Sequence, residues 1–76
     1  MDELRILQLA KEGVITEINT ITQKIHVIEK KIKRSPDSKN IELWRVAIDG
    51  YKNKIDELEN ELIEIDNIIE SIVTNE

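Results

Sequence analysis

The chain has no cysteine, no phenylalanine, one proline, one histidine and two glycines among its 76 residues. Without thiols it cannot be stapled by disulfides, and a lone histidine cannot hold a metal unaided. Two separated glycines make no phosphate-cradling loop. A domain this short buries little on its own and supplies only about 3–5 kcal/mol from one core, so small folds lean on disulfides, metals or association. With the first two closed off, association is the route left. No apolar run approaches the ~20 residues needed to span a bilayer. The opening Met1-Asp2-Glu3-Leu4 is acidic and quickly amphipathic, unlike a signal peptide. The expectation is a soluble cytoplasmic protein.

What the chain has is heptad spacing. Apolar residues step by three and four through Leu4, Leu7, Val14, Ile18, Ile21, Ile25, Ile28 and Ile32, interrupted once by Lys11. A second run passes through Ile41, Trp44, Ile48, Tyr51, Ile55, Leu58, Leu62, Ile65, Ile69 and Ile72 without interruption. This period keeps one seam of a helix turned to a partner helix. The expected fold is all-α: an antiparallel two-helix hairpin forming one domain over residues 1–76. The first helix is expected over about 2–33, the turn over about 34–36 and the second helix over about 36–74. Asp2 and Glu3 suit the positive end of the first helix dipole, and Lys30, Lys31, Lys33 and Arg34 suit its negative end. Ser35 fits an N-cap, with Pro36 at the first helical position and Asp37 in the first turn. Asp49-Gly50 is a turn dipeptide elsewhere, but the heptad phase runs straight through it, so the helix is expected to continue.

Two antiparallel registers satisfy the seam. One sets Ile28 against Ile41 and Ile25 against Trp44. The other sets Ile32 against Trp44 and Ile28 against Ile48. The second gains Glu29 beside Arg45 but places Lys24 beside Lys54 and Glu17 beside Glu61. The first places Glu17 beside Lys54 without a clash, and flanking charges favour it by a few tenths of a kcal/mol at most. It leaves Ile68, Ile69, Ile72 and Val73 overhanging the start of the first helix.

Residues 4–18 also align with residues 41–55. Beyond the seam, Ile6, Leu9, Ala10 and Gly13 match Leu43, Val46, Ala47 and Gly50. These form a second apolar stripe, as expected where a helix meets more than one neighbour. Charge is unevenly shared. Residues 23–54 carry nine basic and four acidic side chains, and the remainder two basic and twelve acidic. A rod with one positive and one negative end should pair head to tail, giving a homodimeric four-helix bundle with both stripes, Ile68, Ile69, Ile72 and Val73 as interface residues.

No catalytic set is found. His26 lies outside the seam, and Gln23 stands where a di-iron Glu-x-x-His pairing would need glutamate. Trp44 and Tyr51 fit core anchors near the turn. Lys30, Lys31, Lys33 and Arg34 are candidate anion contacts, but the acidic chain carries no nucleic-acid-binding motif and nucleic acid is not the expected partner. No enzyme activity, cofactor, metal or membrane contact is expected. The expected function is a small protein–protein interaction or oligomerisation module, acting as a regulator or inhibitor on a protein partner. Such acidic hairpins occur in phage and mobile-element settings, an analogy of fold alone. A tryptophan just after the turn of a two-helix hairpin also resembles the WXG100 (ESAT-6-like) proteins. That resemblance implies export through a type VII secretion system and pairing with a similar chain. Here the motif reads Trp44-Arg45-Val46, without the family's glycine. No aromatic follows Tyr51, and Ile55 stands where the family's export signal places an acid.

Overall fold

The computed structural model describes residues 2–75. Two helices, α1 (Glu3–Arg34) and α2 (Ile41–Thr74), fold back on each other as an antiparallel hairpin. The result is a rod of 59 × 16 × 14 Å. Asp2 caps α1, its Oδ1 accepting from the Leu4 N–H at 3.1 Å. Lys31, Lys33 and Arg34 occupy the last turn of α1, against the negative end of its dipole.

Every expected seam position, Lys11 included, is buried or half-buried. Outside the seam, only Thr22, Ser38 and Ala47 among the described residues escape the exposed class. The buried core is small: Ile21, Ile25, Ile48 and Leu58, with Val14, Ile18, Ile28, Ile32, Tyr51 and Ile55 packed around it. Two helices can bury only one stripe of each other, so most seam residues keep one edge in water.

α2 begins at Ile41, five residues after the expected start at Pro36. A residue before proline is pushed out of the helical region, and Ser35 adopts φ −133°, ψ 65°. Proline's fixed φ serves a helix start or the second position of a β-turn equally well, and here it serves the turn. The Ser38 N–H donates to the Ser35 carbonyl at 3.0 Å, closing that turn. A second turn follows, Ile41 N–H to Ser38 carbonyl at 3.4 Å. Ser38 Oγ accepts from the Asn40 N–H at 3.1 Å, so Ser38 rather than Ser35 supplies the polar side chain before α2.

The longer connection goes with the register, which also differs from the one favoured by flanking charge. Lys11 Nζ reaches Asp66 Oδ1 at 2.7 Å, and Lys24 Nζ sits 5.9 Å from the centroid of the Tyr51 ring. Both contacts require Ile28 opposite Ile48 and Ile32 opposite Trp44. In this register Ile69 and Ile72 are not an overhang. They stand half-buried in the seam, level with Leu7 and Leu4. The two registers differ by one heptad, and the observed one adds a further seam layer between the helices. Burying side chains of this size stabilises by about 1.5–3 kcal/mol each, which outweighs like-charge costs between exposed groups of a few tenths. It also gives Lys11, the polar member of the seam, a carboxylate; in the other register it would face Leu58.

Candidate interaction face

With seam positions labelled a and d, the two sides of the hairpin can be told apart. A shallow groove of about 480 Å³ near the turn is lined by Glu29, Lys33, Arg45, Asp49 and Lys52 over Ile32 and Ile48. The five charged residues occupy e and b positions of both helices, so the e and b residues share one flank. The c and g residues therefore share the other.

That second flank carries the apolar stripes. Ile6 (48% exposed) and Leu43 (69% exposed) stand at c positions, and Ile68 (47% exposed) at a g position. Ala10, Gly13 and Gly50 are exposed beside them, and Ala47 is half-buried at the edge of the seam. Leu9 and Val46, also exposed, lie at the adjoining f positions on the outer ridges. The hairpin thus brings Ile6, Ala10, Gly13 and Ile68 together near the open end, and Leu43, Ala47 and Gly50 near the turn. Val73 is exposed but sits at an e position on the opposite flank, apart from the rest.

Val27 belongs to the turn-end patch and was missed by the stripe comparison. It is 54% exposed and stands two heptads after Gly13, at the same position as Ile6. Following the c position along the whole helix, rather than only over the internal repeat, would have found it. Ile15 and Ile63 form a smaller exposed apolar pair on the groove flank, for which position in the heptad was again the available signal.

Gly13 and Gly50 keep α-helical backbones, and a Cβ built on either meets nothing within 4 Å inside the chain. The hairpin itself has no steric need for them. Gly50→Ala should raise the melting temperature of the monomeric hairpin by about 4–8 °C, the equivalent of about 1 kcal/mol of helix propensity. Circular dichroism of a chain held monomeric by dilution checks this. An unchanged or lower value would mean the glycine has a close neighbour.

Lys30, Lys31, Lys33 and Arg34 are all exposed. At about 100° per residue Lys30 and Arg34 share a face, with Lys33 and Lys31 about 60° to either side, so the four make one basic patch spread over roughly 160° of the end of α1. His26 is exposed on α1. Among the described residues no group of three or more histidine, cysteine, aspartate or glutamate side chains is placed to hold a metal ion. Trp44 and Tyr51 are half-buried in the seam. Among the described residues no helix is long and apolar enough to cross a membrane. Neither a protein-family model, nor a curated protein, nor a solved structure matches the chain.

Proposed function

We propose that this chain is a non-catalytic protein–protein interaction module that works by covering its c/g flank with another helical surface. The partner argued for is a second copy, and the assembly a dimeric four-helix bundle. The observation that carries this reading is a pair of exposed apolar patches on one flank, Ile6 with Ile68 near the open end and Val27 with Leu43 near the turn. Scattered exposed apolar residues are ordinary; two apolar patches on one flank, each beside small residues, mark an interface.

Surface area supports the same reading. The chain exposes 6016 Å², against about 4,800 Å² for a compact monomer of its mass. The excess of about 1,200 Å² exceeds the roughly 800 Å² that each partner contributes to a standard interface. Charge agrees: the residues nearer the turn are net basic and the rest strongly acidic, which favours rods lying head to tail.

Sedimentation equilibrium at about 1–100 μM tests the reading. Twice the chain mass, with a melting temperature that rises with concentration, is the expected result. A single-chain mass throughout that range, with a concentration-independent melt, would remove self-association as the function of this face.

A further inference from the structure

Resting on that reading, we infer that Lys24, Lys54, Glu17 and Glu61 form a charge clasp at the centre of the c/g flank that selects an antiparallel second copy. Within one chain these residues are badly placed. The register sets Lys24 level with Lys54 and Glu17 level with Glu61, all four at g positions on one flank. Relief inside the chain is partial: Lys24 lies against the Tyr51 ring, and Lys54 Nζ reaches Glu57 Oε2 at 3.8 Å. Among the described residues no cation pairs with Glu17 or Glu61.

The quartet straddles the middle of the rod. The midpoints of the helices fall at Ile18–Asn19 in α1 and Glu57–Leu58 in α2. On α1 the midpoint lies between Glu17 and Lys24, and on α2 between Lys54 and Glu61. The two lysines are on the turn side, and the two glutamates on the open side. A two-fold axis through the midpoint, perpendicular to the rod and in the plane of the contact, overlaps two copies over their full length. It lays α1 on the partner's α1 and α2 on the partner's α2, each pair antiparallel. Glu17 then comes within side-chain reach of the partner's Lys24, and Glu61 comes level with the partner's Lys54. Two like-charge pairs in each chain become four opposite-charge pairs in the assembly.

The same axis sets the open-end patch of Ile6 and Ile68 over the partner's turn-end patch of Val27 and Leu43. Near the axis stands Thr20, small, its hydroxyl already donating to the Thr16 carbonyl at 3.0 Å. Glu57 also lies there, facing the partner's Glu57, with Lys54 of its own chain 3.8 Å away to offset that charge. Rods laid parallel would stack lysine on lysine and acidic end on acidic end. Charge here therefore decides direction and partner choice, the role for which interfacial charges are best suited.

The test is charge exchange. Lys24→Glu with Lys54→Glu makes a chain with four glutamates at these sites, and Glu17→Lys with Glu61→Lys makes one with four lysines. Each alone should self-associate at least about tenfold more weakly than the parent. Mixed in equal amounts they should form a one-to-one heterodimer, seen by native mass spectrometry and sedimentation. The chain carrying all four exchanges should recover homodimerisation, which separates loss of the interface from loss of the fold. If the parent dimerises and both double variants dimerise as well as it does, the clasp is wrong while the interaction face stands. If the double variants weaken but neither the mixture nor the fourfold exchange recovers, the antiparallel pairing is overturned. If the parent is a monomer at about 100 μM, self-association falls with it.

Discussion

Leu58→Ala is expected to abolish cooperative folding at room temperature. Leu58 is the most buried of the described residues, at 3% exposure, and lies in a core of only four buried side chains. Truncating a buried leucine costs about 2–5 kcal/mol, combining lost transfer energy with the cavity left behind. A single-seam hairpin of this size has about 3–5 kcal/mol to lose. Far-UV circular dichroism should show the helical signal falling to a small, broadly melting remainder. Ile63→Ala provides the contrast. Ile63 is 58% exposed on the groove flank, and alanine is the better helix former, so the melt should change little. Both variants must be compared at one protein concentration, since association adds to apparent stability. Equal melts for the two would mean that the seam is not the core.

The second large effect concerns assembly without folding. Ala10→Glu with Leu43→Glu should weaken self-association by about a hundredfold or more, while the helical signal of the hairpin persists. Ala10 is exposed and Leu43 is 69% exposed, so neither glutamate has to displace a core contact. A glutamate at position 43 also falls in the first turn of α2, where a negative charge favours the helix. Carboxylates set into the apolar patches of both copies, by contrast, must be desolvated in the contact, which costs several kcal/mol. The expected signature is a single-chain mass at concentrations where the parent is dimeric, with a melting temperature that no longer depends on concentration. A double variant that dimerises like the parent would place the contact on the other flank, around Ile15, Ile63 and the Glu29–Arg45 groove.

Much of the architecture could be read from residue spacing because it depends on short-range periodicity. The heptad positions named every buried side chain and all the half-buried ones but Thr22, Ser38 and Ala47 among the described residues, and the continuity of phase through Gly13 and Gly50 carried both helices through residues that break helices elsewhere. The start of α2 was misjudged at Pro36 because proline's fixed φ suits two local structures. The connection between the helices, with its bonds from Ser38 to Ser35 and from Ile41 to Ser38, decides between them. Flanking charge points to the other register, but each pair contributes only a few tenths of a kcal/mol, less than one added seam layer. Lys24 finding the Tyr51 ring, and Lys11 finding Asp66, were geometries that the alternative alignments did not disclose.

The candidate face was legible in half. The internal repeat named Ile6, Leu9, Ala10, Gly13, Leu43, Val46, Ala47 and Gly50 as a stripe, and all but Leu9 and Val46, which stand on the outer ridges, lie on one flank. Ile69 and Ile72 were assigned to it only through the wrong register, and Val27 was passed over because it lies outside the repeat. Ile68 is exposed at its g position, whereas Ile69 is half-buried because the register sets Leu7 level with it.

The chain's own order of residues determined that there are two long helices, which stripe of each is apolar, and where charge accumulates, because each depends on neighbours within one or two helical turns. Only the tertiary structure decided which layers of the seam meet, and hence that Lys24 stands by Lys54 and Glu17 by Glu61 on the flank that also carries Ile6 and Leu43. Sliding one helix by a heptad leaves every local pattern intact. The choice is made by how much apolar surface the whole length of the pair can remove from water.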